Sequence, residues 1–532
     1  MKKGLAIIVL ATIALSLSAQ TNNPIDVQHY RFELSLSDAS DTLYGNATIT
    51  VELKAPSGET ILDLANIRAD GKGMQILSVQ ENGQSLAYIH QNDRLRIQLP
   101  TVAKVGDTKT FTVQYKGIPA DGLIIGKSIF NKRTFFGDNW PNRAHQWLPC
   151  NDVPLDKSSL EFIVTAPAHY SVVSNGLKIA EEILADSTKR THWQETVPLP
   201  TKVMVVGLAD FAVEEAGKVD NIPLYSWVYA EEKDKGFYDY AQAREILPFF
   251  IDYIGPYGYK KLANIQSKTI FGGMENAGAI FYFEQSVTGK RTIEDLIAHE
   301  IAHQWFGNMV TEFNFSHLWL SEGFATYMAN MYLESKYGAD SVKRRLAGER
   351  EQVVSFAASS NLPVLDTSVN YMSLLNANSY QKGGWILHML RQQVGNAVFR
   401  KIIQTYYAQF AGKNASSDDF VAVAEAVSGK KLKDFFKQWL TQPGIPILQT
   451  SFSHNAAKKM VTITVEQMQP TLFSFPLEVV WKGFKYNPNY KTVQITKRKQ
   501  SFSFKEPTTK AFDLQLDPHT KLLWAAYAEK GE

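Results

Sequence analysis

The first long part of the chain alternates apolar and polar residues with a period of two. Every second residue is apolar in runs at 32–36, 49–53 and 111–115, and Gly, Asp and Asn occur between the runs. This alternation is typical of half-buried β-strands that are joined by turns. It predicts an all-β domain over about 26–210.

From about 230 to 440 the apolar spacing lengthens to that of amphipathic helices. Two examples are the segment after Thr292 and the segment from Leu318 to Lys336, which Gly338 is expected to end. The turn at 442–446 interrupts the helices, and period-two alternation returns at 461–465, 477–481 and 512–516. The pattern therefore predicts a largely helical domain followed by a small β-sandwich.

The length supports several domains, because single cores stop growing near about 250–300 residues and this chain has 532. We predict a multi-domain α+β protein with a signal peptide at 1–19, a β domain at 20–211, a helical domain at 212–444 and a β-sandwich at 445–532. The formal charge of +2 lacks the basic excess of a nucleic-acid binder. We therefore expect no nucleic-acid partner.

The N-terminus resembles a signal peptide, with Lys2 and Lys3 before an apolar run at 5–17 and the small residues Ser18 and Ala19. The alternative is a membrane anchor, but a bilayer core needs roughly 20 apolar residues. We expect export to the periplasm or the medium, cleavage near Gln20 and no stable membrane insertion.

The sequence contains one cysteine, Cys150, so no intramolecular disulfide can form. A single thiol is most often a small buried apolar residue, and we favour that interpretation over a catalytic nucleophile.

The predicted helical domain contains His-Glu-x-x-His at His299, Glu300 and His303. Two histidines four residues apart lie one above the other on a helix, where both can bind one zinc ion. Glu300 then lies about 100° round the same surface, within reach of a water on the metal. Taken alone, the motif also fits two histidines on a partly buried helix face.

A third ligand is needed, and Glu322 follows His303 by 19 residues, enough for a returning helix. The alternative for Glu322 is a solvated surface residue, but apolar neighbours surround it, and a carboxylate in such surroundings usually has a cation. His317 is the rival ligand. We predict one zinc ion held by His299, His303 and Glu322.

The segment 271–280 is rich in glycine but lacks the spacing of a phosphate-binding loop, which argues against ATP binding. The paired glycines Gly272 and Gly273 let a peptide backbone lie against an edge strand, as in strand addition. Glu275 is then free to point into the cleft, where a lone carboxylate attracts an ammonium group.

Together these motifs resemble the aminopeptidase N and leukotriene hydrolase family of gluzincin zinc metallopeptidases. The resemblance extends to 148–152, 305–308, 319–325 and 380–384, and it spans nearly the whole mature chain. It implies a saddle-like N-terminal β domain, a thermolysin-like catalytic domain and a C-terminal β-sandwich. It also implies a zinc-dependent aminopeptidase that removes the first residue of peptides with a free N-terminus.

The resemblance assigns further roles. Glu275 anchors the substrate amine, and Gly272, Gly273 and Met274 form the strand that aligns the peptide. Glu300 is the general base that takes a proton from the zinc-bound water. Tyr380 donates a hydrogen bond to the oxyanion; its position alone would suggest a core aromatic at the start of a helix.

The chain departs from the family pattern at several points. Asp138 lies in the region where many members carry an amine-binding glutamine, and whether it takes that role is open. Ser321 replaces the usual Asn, and Gly273 the Ala of many aminopeptidases, as in leukotriene hydrolases; neither position is a metal ligand. The sequence ends in β-type alternation, so we expect the protein to lack the long C-terminal helical domain of many relatives. We therefore expect a more open cleft, or one covered by a second subunit in a homo-oligomer.

Three rival functions stay open. A thermolysin-like endopeptidase shares the metal ligands but needs no amine anchor, so a substitution of Glu275 distinguishes the two functions. A catalytically silent peptide-binding module would keep the fold without the chemistry. Epoxide hydrolysis is suggested by the Gly-Gly-Met-Glu-Asn form, although export favours peptides.

Overall fold

The structure is a computed structural model that describes residues 24–482, 488–505 and 514–528. The predicted signal peptide at 1–19 and the predicted strand residue Phe512 lie outside the described residues. In the described part, strands come first, helices follow, and strands return at the end. The predicted fold class is therefore confirmed at this level.

Strands fill the N-terminal region, and the alternating apolar positions are buried, with Phe32, Ile49 and Phe111 each 0% exposed. The strands are β1 (Ile25–Ser35), β2 (Leu43–Leu53), β3 (Ser57–Asp63), β4 (Gly73–Glu81), β5 (Gln84–Ser85), β6 (Tyr88–Gln91), β7 (Arg94–Ala103), β8 (Thr108–Ile118), β9 (Leu123–Lys127), β10 (Arg133–Gly137), β11 (Lys157–Pro167), β12 (Ser171–Ser174), β13 (Leu177–Ile183), β14 (Thr188–Pro200) and β15 (Val206–Ala209).

These strands form three sheets. The largest has the order β13-β14-β11-β1-β2-β8-β4-β5, and the smaller ones have the orders β12-β15-β10-β9 and β3-β7-β6. Cys150 is fully buried in this region, and burial raises the pKa of its thiol well above the usual range.

The middle region holds the described α-helices, a five-stranded sheet and a two-stranded sheet. The helices are α1 (Lys233–Tyr240), α2 (Ala243–Tyr253), α3 (Glu294–His303), α4 (Trp319–Tyr337), α5 (Ala339–Ser359), α6 (Gly383–Val394), α7 (Asn396–Phe410), α8 (Ser417–Ser428) and α9 (Lys433–Thr441). The strands are β16 (Phe211–Val219), β17 (Ile222–Tyr229), β18 (Leu262–Ser267), β19 (Gly273–Met274), β20 (Ala279–Phe283), β21 (Val310–Glu312) and β22 (Lys413–Ala415).

The five-stranded sheet β16-β17-β18-β20-β19 was not expected among the helices. Its strand β18 is buried at every position, including the polar Asn264, Gln266 and Ser267, so it lacks the exposed face that a half-buried strand has. The chain thus carries strand structure beyond the predicted β region, while the domain boundaries stay predictions.

Helices α3 and α4 run antiparallel. Near the end of α3, His303 Nδ1 lies 3.1 Å from Ser321 Oγ at the start of α4. Near the other end, the Tyr332 hydroxyl donates to Glu294 at 2.7 Å. The α4 helix ends at Gly338, as predicted, because Gly338 has φ +83° and its N–H closes the last turn. The pair therefore carries both predicted ligand segments on facing sides.

The C-terminal strands form two sheets, β27-β24-β23-β29 and β26-β25-β28. They are β23 (Ile447–Asn455), β24 (Met460–Gln467), β25 (Phe475–Lys482), β26 (Pro488–Ile495), β27 (Lys499–Lys505), β28 (Leu514–Leu516) and β29 (Ala525–Ala526). The rings of Trp481 and Phe504 lie 5.2 Å apart and join the two sheets. Within the described residues, no helix has the length and apolar character that crossing a membrane requires.

Candidate active site

Three side chains meet between α3 and α4: His299, His303 and Glu322. The two Nε2 atoms are 3.0 Å apart, and Glu322 Oε2 lies 3.4 Å from that of His299 and 3.2 Å from that of His303. A tetrahedral zinc with bonds of roughly 2.0–2.1 Å holds its ligand atoms about 3.3 Å apart. The three atoms therefore fit one tetrahedral ion, and the structure brings together the predicted ligand set.

Two neighbours orient His303. Its Nδ1 donates to the Phe306 carbonyl at 3.0 Å and lies 3.1 Å from Ser321 Oγ. With the proton on Nδ1, the Nε2 lone pair faces the other two ligands. Gly307 makes room for this contact, since a Cβ at its φ of +115° would lie 2.3 Å from Ser321 Oγ. Ser321, which the sequence marked only as a departure, thus positions a ligand.

Charge also favours a cation at this point. Burial lowers the pKa of His303, but the carboxylates of Glu322 and Glu275 outweigh it and raise that pKa to about 10. Burial raises the pKa of Glu322, but the His303 and His299 imidazoles hold it well below its usual range. Glu322 Oε2 is buried and accepts no hydrogen bond from the described residues. The donor set and the charge both fit a divalent metal.

Glu300 lies beside this group and is 4% exposed. Burial raises the pKa of its carboxyl group well above the usual range, although His303 opposes the shift. The carboxylate occupies the space over Gly273, where an added Cβ would lie 2.3 Å from Oε1. Glu300 keeps this position only with glycine at 273.

The β19 strand is the edge strand of its sheet, and it runs alongside α3 in the same direction. Along this segment, the contact of Gly273 with Glu300 lies between two others. One helical turn earlier, a Cβ on Gly272 would lie 4.0 Å from Leu296. One turn later, Gln304 Nε2 donates to the carbonyl of Glu275 at 2.9 Å. The segment 272–275 and the helix therefore lie alongside each other across the site.

Glu275 presents an unsatisfied carboxylate. Its side chain is buried, and Oε1 has no hydrogen-bond partner among the described residues. Its backbone is fixed, because Asn308 Nδ2 also donates to its carbonyl at 2.7 Å. Such a group favours a ligand that brings N–H donors and positive charge.

Tyr380 lies on a single π-helical turn, Asn378–Lys382, a feature that often marks functional sites. Its ring is nearly parallel to that of His299, with 6.0 Å between the centroids. Burial, reinforced by the nearby carboxylates, raises the pKa of the phenol well above its usual range, so the hydroxyl stays a donor. Lys382 Nζ ties the turn to the Gly444 carbonyl at 2.9 Å.

All of the predicted site residues line one cavity of about 380 Å³. They are Gly272, Gly273, Met274, Glu275, His299, Glu300, His303, Glu322 and Tyr380. Further lining residues were not predicted, among them Trp140, Arg345 and Glu349. Arg345 and Glu349 on α5 could not be identified as cavity residues from the sequence, because charges four apart on a helix usually indicate a solvated face.

Asp138 and His317 are engaged elsewhere. Asp138 is 0% exposed, and its carboxylate accepts from Arg143 at 2.7 Å and from the Ile270 N–H at 3.0 Å. It therefore holds the segment that leads into β19 and does not line the cavity. His317 Nδ1 lies 2.9 Å from Ser417 Oγ, outside the ligand group.

Known proteins resemble the chain along most of its length. Residues 26–203 match the profile of the peptidase M1 N-terminal domain, and residues 238–439 match that of the peptidase family M1 domain. Together the matches cover more than two thirds of the chain, and the second includes all three ligand residues.

Curated relatives include aminopeptidase M1-C of Oryza sativa, with 25% identity over 446 residues, which are 79% of this chain and 50% of the relative. Glutamyl aminopeptidase of Mus musculus is 26% identical over 476 residues, 82% of this chain and 49% of the relative. The chain spans about half the length of these relatives.

A solved structure of a mutant M1 zinc metallopeptidase from Deinococcus radiodurans superimposes with a TM-score of 0.67 at 24% identity. It covers 80% of this chain and 96% of that one. A second structure of that mutant, bound to a Tyr-Ser-Ala substrate, gives 0.66. These likenesses concern the fold. On the strength of the two profile matches, the protein belongs to the peptidase M1 family.

Proposed function

We propose that this protein is an exported zinc-dependent aminopeptidase that hydrolyses the N-terminal peptide bond of peptides with a free amine. The observation that carries the proposal is the buried, unsatisfied carboxylate of Glu275 beside the metal-binding group. Curated relatives named as aminopeptidases support the reaction class.

The donor set supports zinc as the cofactor. His299, His303 and Glu322 supply three protein ligands and leave a fourth position open, the arrangement of catalytic zinc sites. When bound, zinc acts as a Lewis acid on the scissile carbonyl and lowers the pKa of water.

The chain's own groups complete the reaction. Glu300 takes a proton from the attacking water and returns it to the leaving amine. Tyr380 donates to the carbonyl oxygen as negative charge develops on it, a role typically worth roughly 10²–10³ in rate. Both residues line the same cavity as the ligands.

The way in which β19 lies along α3 supports one direction for the substrate chain. Glu275 lies beside the Gln304 turn, past the ligands at the C-terminal end of α3. A peptide with its amine at Glu275 then runs back past Glu300 towards Leu296. This geometry favours removal of single residues over internal cleavage.

The test is release of a chromophore from paired free and N-acetylated aminoacyl anilides, with chelator and after zinc is restored. We expect chelator-sensitive hydrolysis of the free-amine substrates alone. Glu275→Gln should remove this discrimination, while Glu351→Gln, an exposed change of the same kind, should not. Equal cleavage of blocked substrates would favour the endopeptidase, and zinc binding without hydrolysis would favour the silent module.

Export is part of the proposal and rests on the N-terminal sequence pattern. Fractionation of cells that express the full chain should place the protein, shortened by about 19 residues, outside the cytoplasm. Recovery of the uncleaved chain in the cytoplasm would contradict it.

A further inference from the structure

The cavity extends past the metal-binding group towards the N-terminal end of α3, where α5 forms its wall. Arg345, Glu349 and Gln352 line this end. Asn330, which contacts Arg345 and Glu349, follows Glu322 by eight residues on α4, a rise of about 12 Å. This wall is thus remote from the ligands but within the same cavity.

The hydrogen bond and ion pair of Arg345 are made with residues other than Glu349. Its Nε donates to Asn330 Oδ1 at 2.8 Å, and its Nη1 pairs with Asp295 at 3.1 Å. Glu349 lies one turn later on the same helix, where a salt bridge would be expected. Across the described residues, however, no ion pair within 4.0 Å reaches Glu349.

Glu349 has one hydrogen-bond donor, Asn330, and beyond it only the weaker electrostatic influence of Arg345. It is 7% exposed, and its oxygens share one amide group, Asn330 Nδ2, at 2.9 and 3.2 Å. A carboxylate offers about four lone-pair sites, so most of its acceptor capacity is unused. A carboxylate buried in this way is stabilised by a cation.

The path from the ligands to Glu349 is bounded by small side chains. Between Glu322 and Asn330, the α4 residues that line the cavity are Thr326 and Ala329. A peptide whose amine lies at Glu275 continues in this direction after the scissile bond. The side chain of its second residue therefore has room to extend towards Glu349.

We propose that Glu349 is a specificity-determining residue that binds the lysine or arginine side chain of the residue following the scissile bond. The inference rests on the proposed aminopeptidase function, which sets the direction of the substrate. Asp295 does not compete for the role, because its charge already pairs with Arg345 at the exposed edge of the cavity.

The test compares zinc-loaded enzyme on three tripeptides, Leu-Lys-Ala, Leu-Leu-Ala and Leu-Glu-Ala, with leucine release measured. We expect kcat/KM to fall in that order. Glu349→Gln keeps the size of the side chain and an acceptor for Asn330, and it should lower kcat/KM for the lysine peptide by about tenfold. The leucine peptide should change less than about twofold, and the exposed Glu351→Gln control should match wild type.

Three results would overturn the inference: no lysine preference in wild type, equal losses for the lysine and leucine peptides in Glu349→Gln, or the same loss in the control. If Glu349→Gln does not fold, the wild-type order alone decides. Failure of the aminopeptidase function is distinguishable, because then none of the three peptides would release leucine in a chelator-sensitive manner.

Discussion

The segment that carries Tyr380 and leads into α6 touches α4 at Gly323, which packs against Gly383. A Cβ on Gly323 would lie 2.8 Å from the Cα and carbonyl carbon of Gly383, and 3.1 Å from the Ser379 carbonyl oxygen. Carbon atoms in contact normally lie about 3.5–4.0 Å apart. Gly323→Ala must therefore separate two backbone segments by roughly 0.7–1.2 Å. One segment carries Glu322 and the other carries Tyr380.

The expected effect is on rate more than on stability. A displacement of about 1 Å in a catalytic group costs about 10²-fold, and complete loss of an oxyanion donor costs roughly 10²–10³. Overpacking destabilises by about 1–3 kcal/mol, whereas alanine in place of helical glycine stabilises by about 1 kcal/mol. We expect kcat to fall roughly 10²-fold while the free energy of unfolding falls by only about 0–2 kcal/mol.

The assay measures kcat and KM on a free aminoacyl anilide, zinc content, and unfolding in urea. Gly348→Ala is the matched control, because its Cβ would meet nothing within 4 Å on helix α5. It should keep full activity and gain up to about 1 kcal/mol of stability. Wild-type kcat in Gly323→Ala at full zinc occupancy would contradict this prediction.

Three further predictions concern single side chains. Tyr380→Phe should lower kcat by roughly 10²–10³ with KM and zinc content near wild type in steady-state kinetics and metal analysis; an unchanged kcat would exclude the oxyanion role. Lys202→Met leaves Glu312, 0% exposed at its side chain, without the ammonium 2.5 Å away, and should cost about 3–5 kcal/mol in urea unfolding. A second change, Glu312→Leu, should recover most of that loss, and no recovery would contradict the argument. Burial raises the pKa of Asp156 from 3.8 to about 7, so folding favours the protonated form. The stability of wild type relative to Asp156→Asn should be largest below about pH 4 and decline as pH rises through 7; a difference that grows with pH would contradict it.

The ligand set could be predicted from the sequence because it depends on residues that are close together along the chain. His299 and His303 lie on one helix, where a spacing of four fixes their relative position. Glu322 could be selected because its apolar neighbours place it inside the protein. The alternating strands were predictable for a similar reason, since a period of two directly reports one buried face.

Other features depend on contacts that no local pattern reports. The β18 strand is buried at every position, including the polar Asn264, Gln266 and Ser267, so it has no exposed face for a period of two to report. Ser321 orients His303 across two helices, and Asp138 supports the segment leading to β19. Glu349 lies on a helix whose charges resemble those of a solvated surface. In each case the partner is distant in sequence, so only the folded chain reveals the role.

The single-residue cut of the proposed reaction follows from backbone register. Gly273, in β19, lies against Glu300, and Glu275 follows directly after the strand, where its carbonyl accepts from Gln304 one helical turn later. The amine anchor and the general base are thus both positioned by contacts along α3. In the proposed reaction, the substrate amine binds at Glu275 and the general base is Glu300, so this arrangement favours removal of one residue and leaves side-chain preference to the cavity walls.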